Sequence, residues 1–152
     1  MGAACSQSAA VSSGSISFLG DKFVSKDGEV GIEALEGKTI GIYFSAHWCP
    51  PCRRFTPQLA KTYNRLKEEN KAFEIVFVSS DRDESSFKQY HAEMPWLALP
   101  FSDRALKTAL SSKYDVSGIP TLVLLKPDGT LITKDGRSRV SSASFGKDLA
   151  VV

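Results

Sequence analysis

His47-Trp48-Cys49-Pro50-Pro51-Cys52 is the stretch from which the fold can be read. Its two cysteines, three positions apart, fall where an apolar strand gives way to a helix. The run before them, Thr39-Ile40-Gly41-Ile42-Tyr43-Phe44-Ser45, is β-branched and aromatic, the pattern of a buried strand. The run from Arg53 to Lys71 sets Phe55, Leu59, Tyr63 and Leu66 on one stripe among charged residues, the pattern of an amphipathic helix. Pro57 interrupts that helix and is expected to kink it. Cys49 therefore stands at or just before a helix N-terminus, where unpaired N–H groups and the helix dipole favour negative charge. The thiolate is the attacking species in thiol chemistry. Cys52, one turn further in and less exposed, is placed to close a disulfide. Cys49 reads as the nucleophile and Cys52 as the resolving thiol.

A Cys-x-x-Cys pair has two other uses. Half of a structural zinc site needs two more ligands at compatible spacing. The remaining candidates are Cys5, His47 and His91, and none forms a second paired motif. A purely structural disulfide at this spacing closes a very short loop and removes little unfolded-chain entropy. Strand, Trp48, dithiol and helix agree on a redox site with no metal.

Around this centre, 152 residues with 42% hydrophobic content suit one domain with a normal core. A net charge of +2 does not call for nucleic acid as a partner. No apolar run approaches the roughly 18–20 residues of a membrane span. Three cysteines do not describe a disulfide scaffold, and no secretory signal is evident, so a cytoplasmic, reducing setting is expected.

Residues 1–17 read as a disordered tail rich in Ser, Ala and Gly, and 18–152 as the folded domain. Met1-Gly2-Ala3-Ala4-Cys5-Ser6 fits the N-myristoylation pattern at Gly2, with Cys5 near enough to be palmitoylated. One myristoyl chain binds membrane weakly and reversibly, so a second acyl group would make the association lasting. The expectation is a chain anchored on the cytosolic face; the plain alternative is an unmodified tail.

Further along, Phe18-Leu19, Phe23-Val24 and Glu29-Val30-Gly31-Ile32, turning at Lys26-Asp27-Gly28, read as an edge hairpin, with one helical turn within Ile32–Leu35. Glu74 to Ser80 is a second buried strand, so strand, helix and strand imply a parallel crossover. Ser85 to Ala92 reads as a short helix whose preceding acids cap it. Asp81 or Glu84, at the strand's C-terminal end, is alternatively a candidate for moving a proton at the dithiol. The Pro-broken apolar run Met94 to Phe101 assigns Trp96 to the core, with a rim contact to partners as the other reading. Asp103 to Lys113 reads as a helix, Leu122 to Leu125 as a strand, and Lys126 to Thr130 as the turn of a hairpin closed by Leu131-Ile132-Thr133. Pro120, ahead of that strand, is a candidate cis proline that would leave the Ile119 backbone free to pair with an extended substrate. Ser141 to Val152 is expected to be a final helix.

The motifs Tyr43 to Cys52, Phe55-Thr56-Pro57-Gln58-Leu59, Val78-Ser79-Ser80-Asp81, Met94 to Phe101 and Gly118-Ile119-Pro120-Thr121 resemble the thioredoxin superfamily, within it the tryparedoxin and nucleoredoxin branch. The resemblance covers about Phe18 to Val140. It implies an α/β thioredoxin fold, a central mixed β-sheet flanked by α-helices, with nucleophilic Cys49, resolving Cys52 and Pro120 in cis. It also implies substrate contact through Trp48, Ile119 and Pro120. Thioredoxins proper carry Gly-Pro between the cysteines and a buried acid where this chain has Tyr43, so the proton-handling group is open, with Asp81 the candidate. Arg137-Ser138-Arg139-Val140 resembles a basic stretch near the active site of the trypanosomatid branch, which points to Arg139; the plain reading is a solvated turn.

The expected activity is reduction of protein disulfides, peroxidases among them, with electrons from an upstream dithiol or reductase and with no cofactor. The alternative is a redox-switched binding module, since nucleoredoxin-like proteins are associated with holding signalling partners as well as reducing them. Turnover separates the two: an enzyme reduces many equivalents per site, and a switch binds stoichiometrically.

Overall fold

The computed structural model describes residues 16–149 and 151; Gly2 and Cys5 lie outside them. The chain forms a mixed seven-stranded sheet with four α-helices among the described residues. Its strands are β1 (Lys22–Ser25), β2 (Gly28–Gly31), β3 (Thr39–Ser45), β4 (Phe73–Ser79), β5 (Leu97–Ala98), β6 (Thr121–Leu125) and β7 (Leu131–Thr133). The helices are α1 (Pro50–Glu68), α2 (Glu84–His91), α3 (Arg104–Lys113) and α4 (Gly136–Val140). Strand order is β2-β1-β5-β4-β3-β6-β7. β4 runs parallel to β3 and β5, while β6 pairs antiparallel with β3, and hairpins close both edges.

β3 and β4 are buried at every position, as expected of strands covered on both faces. Their alternation sends side chains into two cores. Tyr43, Ile75 and Phe77 meet Phe55, Leu59, Tyr63 and Leu66 of α1, Phe87 and Tyr90 of α2, and Val140 of α4. Ile40, Ile42, Phe44, Val76 and Val78 meet Leu110 of α3 and the short turns holding Ile16, Leu19 and Leu35 on the other face. Each such large apolar side chain contributes roughly 1.5–3 kcal/mol by leaving water. Trp96 is buried in the first core.

The boundaries of α1 follow from its sequence. It begins at Pro50, three residues earlier than expected, because the N–H that proline lacks has no partner in a first turn anyway. It runs through Pro57 without ending. It ends at Glu68, two residues before Asn70, whose φ of 57° is left-handed; Lys71 N–H then donates to Leu66 O at 2.9 Å and Asn70 N–H to Lys67 O at 3.0 Å. Asp83 caps α2 and Asp103 caps α3, each accepting a backbone N–H.

Two expectations are corrected. The last helix is Gly136–Val140; Ser141 to Leu149 form turns, and Val151 bridges to Lys71. There Ser142 Oγ takes up Ser144 Oγ and N–H, competing with helical bonding, and Gly146 is left-handed at φ 96° beneath Leu66, where a Cβ would collide. Ile16, assigned to the tail by composition, is fully buried, so the folded unit reaches back at least that far.

Candidate active site

The site lies where β3 ends and α1 begins. After Ser45 the chain turns through Ala46, His47 and Trp48, and Cys49 N–H closes the turn onto Ala46 O at 3.2 Å. Cys49 is the N-cap of α1, and Cys52 N–H, one of the helix's otherwise unpaired donors, points at Cys49 Sγ at 3.3 Å. Both cysteines are free thiols, Cys49 5% exposed and Cys52 fully buried. The outer sulfur is thus the one a substrate reaches first. Burial, then the hydrogen bond with Cys49, pushes the Cys52 thiol up to about 11, so Cys52 holds its proton at neutral pH.

Surrounding elements fix this geometry. The Ile119–Pro120 peptide is cis, and Cys49 Sγ lies 3.9 Å from Ile119 O. Trp48 is 51% exposed; its Nε1–H donates to Ser80 O at 3.1 Å, and the Arg82 guanidinium sits 5.6 Å from its ring centre. Trp48 and Ile119 flank a cavity of about 350 Å³ that Phe44, Ser80, Lys107 and Gly118 complete. Trp48, Cys49, Ile119 and Pro120, singled out separately along the sequence, are therefore brought together.

Asp81 is buried, with its carboxylate already engaged. Oδ1 accepts His47 N–H at 2.8 Å and Oδ2 accepts Ser79 Oγ–H at 2.7 Å. It ties the end of β4 to the loop that delivers Cys49. Arg53 supports the same loop, donating to His47 O at 2.7 Å. From the basic stretch, Arg137 rather than Arg139 reaches the site: its Nη1 donates to Pro120 O at 3.3 Å and its guanidinium lies over Phe55. Arg139 is exposed and lines a separate cavity with Thr39, Leu124 and Phe145.

Ser45, Thr56 and Tyr90 escaped the sequence reading. They surround Cys52 together with Tyr43, joined by hydroxyl hydrogen bonds of 2.6–2.8 Å. The available signal was Tyr43 itself, a polar aromatic within a buried strand.

A dithiol on a helix N-terminus against a mixed sheet is the arrangement of a thiol redox protein, and comparison with known proteins agrees. A Thioredoxin-like family model matches residues 37–131. Human nucleoredoxin is 54% identical over 107 residues, 70% of this chain and 25% of that protein. Probable nucleoredoxin 1 of Arabidopsis thaliana is 54% identical over 116 residues, 76% of this chain and 20% of the relative. The chain thus spans about a quarter of the curated relatives it matches. Among solved structures, tryparedoxin II of C. fasciculata superimposes with a TM-score of 0.80 at 39% identity, over 89% of this chain and 91% of that one. Tryparedoxin from Trypanosoma brucei gives 0.76 at 44%, over 83% and 88%. Fold and relatives define a member of the thioredoxin-like oxidoreductase family. The chain belongs to the thioredoxin superfamily, in its tryparedoxin and nucleoredoxin branch.

Proposed function

We propose that the chain reduces protein disulfides through Cys49 and Cys52. The observation that carries this reading is the asymmetry of the two sulfurs: Cys49 caps α1 and keeps 5% of its surface exposed, and Cys52 is fully buried behind it with its proton held. Cys49 thiolate attacks one sulfur of the target disulfide, forming a mixed disulfide and releasing the other target sulfur as a thiolate. Cys52 then loses its proton and attacks Cys49 Sγ. A Cys49–Cys52 disulfide forms, and the second target sulfur leaves as a thiol. Two electrons have passed to the target, and an upstream dithiol or reductase returns them. Trp48 and the Ile119 backbone stand beside the attacking sulfur, positioned to hold an extended target segment. Peroxidases that carry a disulfide are one class of target this reading admits.

Trapping tests the assignment. Cys52→Ser should retain target proteins as mixed disulfides on Cys49, released by reductant, and Cys49→Ser should retain none. Equal trapping by the two variants would overturn the roles.

A further inference from the structure

Trp48 and Ile119, the residues that stand beside the attacking sulfur, share their cavity of about 350 Å³ with Phe44 and Val116, so much of its wall is apolar. Its lining among the described residues holds one charged side chain, Lys107 of α3. Lys107 is half-buried, and no carboxylate pairs with its ammonium among the described residues. Asp103, four residues earlier, instead caps α3 by accepting Leu106 N–H at 3.1 Å. A second cation stands against the same wall, since the Arg82 guanidinium lies 5.6 Å from the Trp48 ring centre. The acids on either side of Arg82 are also engaged, Asp81 by His47 and Ser79, and Asp83 by Ser86 N–H at 2.8 Å.

A half-buried ammonium has given up part of its hydration, and an apolar wall offers nothing in return. A carboxylate entering the cavity restores a charged partner, and the hydroxyls of Ser80 and Ser117 in the same lining can donate to it. A neutral amide gains less there, and a second ammonium meets like charge. Strand geometry says where in a target that carboxylate stands. A target segment that pairs with the Ile119 backbone is extended, so side chains two residues apart point the same way, roughly 6.6 Å from one another. Ile119 O lies 3.9 Å from Cys49 Sγ, and Ile119 also lines the cavity. An attacked cysteine at Cys49 therefore brings the residue two positions away toward Lys107.

We infer that Lys107 makes this cavity a subsite for an acidic side chain, selecting disulfides whose attacked cysteine has Asp or Glu two residues away. The subsite rests on the reading that Cys49 attacks protein disulfides, and adds a substrate class to it. Lys107 binds and orients; no proton or electron passes through it, and exchange stays between the target, Cys49 and Cys52. Arg82, exposed over Trp48, adds to the positive field at the same place.

Symmetric disulfide dimers of short capped peptides test this, with Glu, Gln or Lys two residues before the cysteine in one set and two residues after it in another. Reduction by the protein with dithiothreitol as donor is followed by chromatography of the released thiol, above the rate with dithiothreitol alone. In one of the two sets kcat/KM should be about fivefold higher for Glu than for Gln, the size of a partly exposed ion pair, and lower for Lys than for Gln. Lys107→Gln should bring the Glu-to-Gln ratio to about one, and Lys107→Arg should keep it. Lys113→Gln removes the same charge from the last turn of α3, where the ammonium lies over Phe18, and should also keep the ratio. Because each ratio is taken within one protein, a general loss of activity or stability cancels. Equal wild-type values for Glu and Gln in both sets would overturn the proposal. So would a ratio that survives Lys107→Gln, or one that collapses as far in Lys113→Gln. A wild type that reduces no peptide above background would instead overturn the disulfide-reductase reading itself.

Discussion

Replacing Asp81 tests whether the end of β4 holds the nucleophile's loop in place. The carboxylate is 5% exposed and accepts two hydrogen bonds, from His47 N–H at 2.8 Å and Ser79 Oγ–H at 2.7 Å. Hydrogen bonds to a charged group contribute about 1.5–3 kcal/mol each. Asp81→Asn keeps Oδ1 toward His47 N–H and turns Nδ2 on the Ser79 hydroxyl, which rotates to accept, so two bonds to a charged group become neutral ones and about 2 kcal/mol is lost. Asp81→Ala loses both, for about 4 kcal/mol. With a urea slope of about 2 kcal/mol per molar, the unfolding midpoint should fall by about 1 M in the first variant and about 2 M in the second. Urea titrations followed by tryptophan fluorescence measure both. The disulfide-reductase pH profile of Asp81→Asn should keep its shape while its height falls, because a loop tether sets geometry and transfers no proton in the reaction. A midpoint within about 0.3 M of wild type, or a stable variant whose profile changes shape, would refute the tether and return Asp81 to proton transfer.

Trp48→Ala should raise KM for a protein disulfide about tenfold, as expected for a central aromatic contact. It should cost no more than about 1 kcal/mol in unfolding, since the half-exposed indole makes one neutral hydrogen bond to the fold; an unchanged KM would refute substrate contact. Burial lowers the His91 pKa in the folded state, with Lys26 adding to the effect and the bond to Trp96 O opposing it. The unfolded chain therefore binds this proton first, and stability falls as pH drops below about 6.5 toward the folded value. Urea midpoints between about pH 7.5 and 5.5 should fall more in wild type than in His91→Gln, and parallel falls would contradict this.

How much was legible in the sequence depended on whether local pattern or tertiary contact decided each feature. β3, α1 and β4 were readable because period and propensity agree with burial: continuous apolar runs for strands covered on both faces, and the Phe55, Leu59, Tyr63, Leu66 stripe for the helix between them. Cys49 and Cys52 were readable because the motif carries its own geometry. Ser141 to Val152 misled because its end is set by Leu66 over Gly146 and by Phe145 against Phe73, contacts from residues far away in the chain. Arg139 stood out by charge, but the turn of α4 presents Arg137 to Pro120. The hydroxyl chain joins three elements separated by up to 45 positions, and no window along the sequence contains it. Its one trace was Tyr43, where thioredoxins proper place an acid.

The central claim, turnover on protein disulfides through Cys49, is tested most directly by insulin reduction with dithiothreitol as donor, wild type beside Cys49→Ser. The account predicts many insulin disulfides reduced per wild-type site and a background rate for the variant. A folded wild-type protein that reduces insulin no faster than dithiothreitol alone would contradict it and favour a stoichiometric redox-switched binder.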